Sequence, residues 1–592
     1  MSYNKLYMYQ ELDLVFLTVQ ESILEALKKF SASESENFEI LIEPPNDPSF
    51  GELYTNAALA FAKSLKTSPK ILTEAICESL KRNEKVLSVS NAPPGFINFR
   101  MKKEFWQETI NEILIQKEQY SFSDLMNRTP INVEFVSANP TGPLHTGHAR
   151  NAIFGDVLSN LLSKIGYKVT REFYINDRGN QVALLSKSVF LRYKELLGFE
   201  VLTSDFKEDM YCGEYIKDIA KELIETYGDK LLHEGEQETL QLLKDFSVKR
   251  LLKDIQDDLK RVGIAMDIYT SEAELHKRNM IEKALKTLEE LGDIYEGVLP
   301  RPKGISDNED WEERTQTLFC STKYGDEIDR VVKKSDGTWT YFAGDLAYHF
   351  DKIERGYKRM TAVLGADHGG YVKRLKAAVK ALSNNSVEID IKLYQLVNFL
   401  ENGKPIRMSK RAGNFITMRE VIERVGKDVT RFMMISRHHD SIIDFDFVKT
   451  VEYSMDNPLF YIQYAYARIC SVFRHYESIF GKLTEKELIN CSKAELSDEA
   501  EVKLLQNLRL WPERVKSAAI ALEPHRLAIY LRDIAHLFHI LWNKGKTNAE
   551  LRFISTDNKN ETIVRLSLLQ ATKIILEDGF KLIGITPMAE MK

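Results

Sequence analysis

Two histidines three residues apart, His145 and His148, flank a glycine in Pro143-Leu144-His145-Thr146-Gly147-His148-Ala149-Arg150. Asn151 to Ile165 then carries apolar residues at helical spacing, so the pair stands where a helix begins. Side chains at i and i+3 face the same way, and a helix N-terminus offers unpaired N–H groups and a favourable dipole to an anion. Two imidazoles there can hydrogen-bond phosphate oxygens, while Gly147 lets a nucleotide lie against the backbone. Taken alone, such a pair is more often two partly exposed histidines at a capped helix end. A second cationic element, Gly403-Lys404-Pro405-Ile406-Arg407-Met408-Ser409-Lys410-Arg411-Ala412-Gly413-Asn414, follows a strand-like run. Several cations on one loop suit a leaving pyrophosphate, because negative charge develops as the phosphorus–oxygen bond breaks. A solvated basic turn is the plainer reading of that segment alone. A third element, Gly365-Ala366-Asp367-His368-Gly369-Gly370, is a glycine-rich turn after another strand-like run, the place where open parallel sheets receive nucleotides.

These groups need a scaffold, and the surrounding pattern supplies one. Ile131 to Val136 is β-like and ends in the turn Ala138-Asn139-Pro140-Thr141-Gly142-Pro143; the helix follows, and Lys168 to Ile175 is extended again. Strand, helix, strand is the seed of a parallel sheet. Strand-like pieces return at Trp339 to Phe342, Met360 to Leu364 and Leu393 to Leu400, with Tyr371 to Leu382 helical. Residues from about 182 to 300 are charged and mostly helical, an expected insertion into the sheet domain. The expected organisation is a small α+β domain over 1–125, an α/β parallel-sheet domain over 126–445, and an α-helical bundle over 446–592. In the first, Val15 to Leu27 has a helical period, whereas Phe38 to Ile42 and Phe96 to Phe99 are extended. In the last, Leu459 to Phe473 and Leu527 to Trp542 typify an almost wholly helical text.

Composition narrows the class. With 592 residues, 44% hydrophobic and 28% charged, the chain is long enough for several packed cores and too polar for a membrane bundle. Its five cysteines are odd in number and form no C-x-x-C pair, so neither a disulfide framework nor a cysteine metal site is expected. Glu11 and Asp13 interrupt any signal-peptide core, and a cytoplasmic location with no membrane partner is the expectation. A net charge of −6 argues against a generally basic nucleic-acid binder, yet the charge is uneven: residues 1–59 carry −7 and residues 60–103 carry +6. His536 and His539, i and i+3 on a helix without a third ligand nearby, read as packing, and His438-His439 as a surface turn between domains.

Together and in this order, the histidine and lysine segments resemble the HIGH and KMSKS signatures of class I aminoacyl-tRNA synthetases. The wider text resembles the arginyl-tRNA synthetase family: Glu134-Phe135-Val136-Ser137-Ala138-Asn139-Pro140-Thr141-Gly142-Pro143 before the histidines, Phe173-Tyr174-Ile175-Asn176-Asp177-Arg178-Gly179-Asn180-Gln181, and Gly325-Asp326-Glu327-Ile328-Asp329-Arg330. The likeness continues through Asn91-Ala92-Pro93-Pro94-Gly95-Phe96-Ile97-Asn98-Phe99 early in the chain. Late in the chain it includes Asn457-Pro458-Leu459-Phe460-Tyr461-Ile462-Gln463-Tyr464-Ala465 and Pro524-His525-Arg526-Leu527-Ala528. It implies a Rossmann-like catalytic domain between an N-terminal domain that touches the tRNA elbow and a helical anticodon-binding domain.

The resemblance also implies roles. His145, His148, Arg407 and Lys410 act on the phosphates of ATP, with Gly147, Asp367, His368, Met408 and Ser409 in the ATP site. Residues Ala138 to His148, including Leu144 and Thr146, form the signature segment. Glu134, Asn139, Tyr341 and Asp345 contact arginine: Asp345 the guanidinium, Tyr341 beside it, Asn139 and Glu134 the backbone groups. Such a pocket suits a rigid guanidinium with five donors. Lys63, Lys66, Lys70, Lys81, Arg82 and Lys85 in the positive segment are candidate tRNA phosphate contacts. Implied substrates are L-arginine, ATP with Mg2+ on its phosphates, and tRNA(Arg), which is needed even for activation; no structural metal is expected, and a monomer is. The signatures depart from the family pattern at Thr146, where Ile or Val is usual, and at Arg407, where Lys is usual; Arg178 stands where a small residue is expected. Three other readings fit parts of the chain. A class I synthetase for another amino acid shares both signatures, and a small-molecule nucleotidyltransferase shares the histidines but needs no large helical domain. A catalytically dead tRNA-binding paralogue would keep the outer domains but lose His145, His148 or Lys410, all of which are present.

Overall fold

The computed structural model describes residues 14–31, 38, 40–42, 45, 50–202, 205–206, 209–299, 314–406, 416–490, 496 and 498–591. The N-terminal part is a three-stranded antiparallel sheet of β1 (Leu53–Thr55), β2 (Val86–Ala92) and β3 (Phe96–Met101), in the order β1-β3-β2, against helices Leu14–Lys28 and Pro69–Arg82. The second helix starts where Ser68 accepts a hydrogen bond from the N–H of Ile71 with Pro69 in the first turn, and it buries Leu72, Ile76 and Leu80 at intervals of four. None of the described residues within Phe38 to Ile42 forms a strand, although Phe38 and Ile42 are buried.

A five-stranded parallel sheet forms the centre. Its first members are β4 (Pro130–Glu134), β5 (Lys168–Ile175) and β6 (Ile268–Ser271). A small antiparallel sheet of β7 (Ile294–Gly297), β8 (Gln316–Phe319) and β9 (Arg330–Lys333) intervenes before β10 (Arg359–Gly365) and β11 (Glu388–Tyr394) complete the parallel one. The strand order is β11-β10-β4-β5-β6, so the chain begins in the middle, builds outward on one side, then returns to build on the other. The reversal falls between β4 and β10, and ligands of such sheets sit at the carboxyl ends of the strands flanking it. Helix Thr146–Lys164 makes the β4–β5 crossover, burying most of its residues. It crosses β4 so closely that a Cβ on Gly155 would lie 2.2 Å from the ring of Phe135. Beyond β11, β12 (Val397–Glu401), β13 (Lys404–Pro405) and β14 (Ile443–Asp446) form a third small sheet.

Three further expectations from the sequence change. The expected helical insertion does hold helices Asn180–Leu196, Glu214–Tyr227 and Glu236–Arg261, but β6, an edge of the parallel sheet, lies inside the same range. Four half-buried residues show too little alternation to declare a strand. Trp339 to Phe342 is not a strand: Thr340 is the N-cap of helix Tyr341–Glu354, and Trp339 makes only an isolated bridge to Lys333. Leu393 to Leu400 is split between β11 and β12, because Gln395 turns away to donate to the carbonyl of His439 and accept from Arg150 at 2.7 Å.

The C-terminal bundle comprises helices Pro458–Phe480, Glu485–Asn490, Glu499–Arg509, Trp511–Ala521, His525–Thr547 and Lys559–Ile583. It is joined to the sheet domain by buried polar contacts. Asp578 accepts from Trp511 Nε1 at 2.8 Å and pairs with Lys164 at 2.8 Å. Arg431, 1% exposed, donates to the carbonyls of Ile583 (2.6 Å) and Val262 (2.8 Å) and pairs with Asp156 on the crossover helix. Arg150, also 1% exposed, donates to the carbonyls of Gln395, Ser441 and His438, and burial lowers its pKa to about 10. The His438-His439 turn is a surface feature only in part: His438 is half-buried, whereas His439 is 8% exposed, its ring packs against that of His438 at 4.0 Å, and burial lowers its pKa to about 4. His539 is packed between the carbonyl of Tyr461 and the Arg468 guanidinium, and His536 meets the Tyr461 hydroxyl at 3.1 Å.

Removing the Arg431 guanidinium takes the donor from two buried carbonyls and leaves Asp156 with Arg171 at 3.4 Å. Arg431→Met should lower stability by about 3 to 5 kcal/mol, the cost of breaking a buried ion pair from one side. Denaturant unfolding followed by tryptophan fluorescence measures it, and a loss below about 1 kcal/mol would show that the junction does not rest on this residue.

Candidate active site

β4 ends at Glu134, and the chain then reverses through Val136 (φ 67°) and Ser137 (φ 40°), two non-glycine residues in the left-handed region. A β-branched residue is strained there. Hydrogen bonds hold the turn: the N–H of Val136 donates to Asn151 Oδ1 at 2.8 Å, Ser137 Oγ donates to Glu134 Oε1 at 3.1 Å, and the same Oγ accepts from the Tyr174 N–H at 3.1 Å. This turn delivers the Ala138–His148 segment to the head of the crossover helix.

At that head His145 is the N-cap. Its Nδ1 accepts the N–H of Gly147 at 3.1 Å, and the Nδ1 of His148 accepts the N–H of His145 at 3.3 Å, a reciprocal capping arrangement made by imidazoles. The rings stack with centroids 3.7 Å apart. With both Nδ1 atoms accepting, each neutral ring carries its proton on Nε2 and can donate it to an anion. A Cβ on Gly147 would lie 3.0 Å from the His145 ring, so the glycine also makes room for the cap.

Arg407, Met408, Ser409 and Lys410 lie outside the described residues. The segment containing them is bounded by described residues that touch the histidines' neighbourhood: Thr417 bridges His145, and the Met418 N–H donates to the Leu144 carbonyl at 2.7 Å. On the other side, Asp367 and His368 occupy a short 3-10 turn at the end of β10, with Asp367 Oδ2 3.6 Å from His368 Nε2 and both side chains at least half exposed.

An acidic pocket opens between these elements. Glu134, Asp345 and Glu272 converge on it, and Asp345 is pushed up to about 7 by burial and by Glu134 and Glu272, against the opposing charge of Arg374. Glu272 is raised by burial and by Asp177, with Arg178 and the Tyr174 hydroxyl opposing. Tyr174 lies among the four carboxylates, and burial together with Glu272, Asp345, Glu134 and Asp177 pushes its phenol far above the ordinary range. Raised carboxylates mark unmet demand for a cation. Tyr341, at the first helical position and 77% exposed, stands four residues before Asp345 on the same face. It is thus not a core aromatic, and Asp345 is not the helix cap, which is Thr340. Asn139 donates to Gln181 Oε1 at 2.7 Å.

Several of these groups escaped the sequence. Glu272 follows β6, and only the β5–β6 pairing brings it to the pocket. Asp177 accepts from Ser271 Oγ at 2.6 Å and the Ala273 N–H at 2.9 Å, fixing the start of the Glu272 helix. Arg178 acquires a physical role as the cation beside Glu272. Lys352, eleven residues beyond Tyr341 on its helix, pairs with Glu134, and its helical spacing from Asp345 was the available signal. In the N-terminal part, Lys63, Lys66, Lys70, Lys81 and Arg82 are exposed, but Glu74 and Glu78 share the Lys70–Arg82 face; Lys85 is half-buried against Glu108 at 2.9 Å.

Family models match nearly the whole chain: an arginyl tRNA synthetase N terminal domain over residues 17–101, the catalytic domain of tRNA synthetases class I (R) over 109–456, and a DALR anticodon binding domain over 462–591. The chain belongs to the arginyl-tRNA synthetase family. An arginine–tRNA ligase of Wolbachia sp. subsp. Brugia malayi (strain TRS) is 44% identical over 578 residues, 98% of this chain and 100% of the relative. One of Parvibaculum lavamentivorans is 47% identical over 554 residues, covering 93% and 94% of the two chains. The structure of Thermus thermophilus arginyl-tRNA synthetase superposes with a TM-score of 0.70 at 21% identity over 97% of this chain and 100% of that one, a likeness of fold. Within the family's catalytic match lie the histidine cap, the acidic pocket and the flanks of the lysine segment.

Asp345 must be ionised to hold a guanidinium. Its carboxyl is protonated below about 7 in the empty pocket, so the KM for arginine should rise as pH falls through about 7 and level off above it. Asp345→Asn should abolish that dependence and weaken arginine use roughly 100-fold. Steady-state kinetics across about pH 6 to 8 decides, and a flat wild-type profile would remove Asp345 from this role.

Proposed function

We infer that the chain is an arginine–tRNA ligase, which activates arginine with ATP and esterifies it to the 3′-terminal adenosine of tRNA(Arg), releasing AMP and pyrophosphate. One observation carries the specificity: the cluster of Glu134, Glu272 and Asp345, with Asp345 pushed up to about 7 by burial and by the two glutamates, beside a helix head capped by two histidines.

In this mechanism the arginine carboxylate attacks the ATP α-phosphorus in line, and pyrophosphate leaves. No side-chain nucleophile takes part; orientation and electrostatics lower the barrier. The Nε2–H groups of His145 and His148 stabilise charge on the phosphates, Gly147 allows the nucleotide to approach the helix head, and Arg407 and Lys410 close over the leaving group with Met408 and Ser409 beside the nucleotide. Mg2+ travels with the ATP phosphates as part of the substrate. Asp367 and His368 contact the ribose side, and Asn139 with Glu134 the amino-acid backbone groups, while Tyr341 flanks the guanidinium held by Asp345. The terminal tRNA hydroxyl, the 2′ first, then attacks the adenylate. Lys63, Lys66, Lys70, Lys81 and Arg82 are proposed phosphate contacts of the tRNA, with Lys85 the weakest candidate because Glu108 already holds it. The proposed working form is a cytoplasmic monomer of three units, 1–125, 126–445 and 446–592; no described helix is long and apolar enough to cross a membrane.

ATP–pyrophosphate exchange run with individual amino acids, with and without tRNA(Arg), tests this. Exchange should appear only with arginine and tRNA together, whereas exchange driven by lysine, cysteine or glutamate alone would overturn the assignment. His148→Ala should slow adenylate formation about 100-fold, the scale of one oxyanion donor, while leaving tRNA affinity unchanged.

A further inference from the structure

The pocket contains one cation that no substrate group needs to meet. Lys352 is 1% exposed on helix Tyr341–Glu354, with Nζ 2.7 Å from Glu134 Oε2 and 3.9 Å from the centre of the Tyr348 ring. A lysine this deeply buried is rare unless a partner compensates it. We propose that Lys352 is a positioning residue for amino-acid selection: it holds the Glu134 carboxylate aimed into the pocket, so that the ammonium group of the incoming amino acid meets a fixed acceptor. This rests on the reading of Glu134 as a partner of the substrate's backbone groups.

The geometry around Glu134 supports the assignment. Its Oε1 accepts from Ser137 Oγ in the left-handed turn, and its Oε2 accepts from Lys352, so both oxygens are oriented. Arg355, the next cation along the chain, is committed elsewhere, to Glu172 at 2.8 and 2.9 Å and to Asp351 at 2.9 Å. Glu172, the other carboxylate in the field of Lys352, is already met by Asn132, Thr270 and Arg355. Glu134 is faced by Tyr174, Tyr348, His349 and Asp345, of which Asp345 repels it. Lys352 is therefore the cation that orients this buried carboxylate beside a second one. It lies two helical turns beyond Asp345, on the same face, so one helix carries both the acceptor for the guanidinium and the cation that aims the acceptor for the opposite end of the substrate.

The measurement compares arginine with 5-guanidinopentanoate, which is arginine without its amino group, as ligands of the full-length protein in the presence of ATP and tRNA. Lys352→Met removes the charge and nearly keeps the length. It should raise the arginine KM at least about tenfold while the ATP KM stays within about twofold, because only the amino-acid site loses an ion-pair acceptor. The preference for arginine over 5-guanidinopentanoate should shrink by a similar factor. Because leaving Glu134 unpaired can itself destabilise the fold, the double variant Lys352→Met/Glu134→Gln removes both charges together. Its loss should equal that of Glu134→Gln alone, since Lys352 acts through Glu134. Unchanged preference for arginine over the analogue in Lys352→Met, additive losses in the double variant, or equal rises in both KM values would each overturn the proposal. Failure of the wild-type protein to bind arginine more tightly than lysine would instead overturn the pocket reading beneath it.

Discussion

Three remote parts of the chain meet at the guanidinium of Arg431. It donates to the last turn of the terminal helix at Ile583 and to the end of the insertion at Val262, and it pairs with Asp156 in the crossover helix. A guanidinium has a rigid plane of donors, so satisfying it fully in the interior leaves little freedom to its partners. Asp156 is also approached by Arg171 of β5 at 3.4 Å. About two to three helical turns before Asp156 stand His148 and His145, and the same helix is pressed against Phe135, just past β4, at Gly155. The bundle, the insertion and the histidine-capped helix head therefore share one anchored body, and the candidate site inherits its precision from that anchoring.

Within that frame, charge is arranged for a missing partner. Glu134 has Lys352, but Asp345 and Glu272 face burial and each other's neighbours without a full complement of cations. Such a pocket is costly when empty, and in the proposed function a guanidinium would relax it, turning electrostatic repulsion into selectivity. An ammonium is smaller and presents fewer directed donors, and a neutral side chain leaves the carboxylates unmatched. The strained turn at Val136 and Ser137 belongs to the same arrangement, because it lets one serine orient Glu134 and receive the Tyr174 N–H at once.

The helix-period text was legible wherever burial is one-sided and continuous. Leu527 to Trp542 lies within helix His525–Thr547, and Lys168 to Ile175 matches β5 from end to end. Legibility failed where context overrides pattern. β6 is four residues long, Trp339 to Phe342 is drawn into a helix by the Thr340 cap, and Leu393 to Leu400 is broken by the hydrogen bonds of Gln395. The charge pattern behaved likewise: the +6 of residues 60–103 does reach the surface, but Glu74 and Glu78 sit among its cations on one helix, and Lys85 is taken by Glu108.

By itself the sequence determined the chemistry that short segments can carry: two histidines at i and i+3 heading a helix, a basic glycine-bounded loop, and a tyrosine and an aspartate one turn apart. Those depend on local spacing, and local spacing is written in the chain. Only the tertiary structure decided what surrounds them. Glu134 and Lys352 are separated by 218 positions, and Glu272 reaches the pocket through the pairing of β5 with β6. A carboxylate's charge state depends on burial and on neighbours from other strands, neither of which any spacing along the chain encodes.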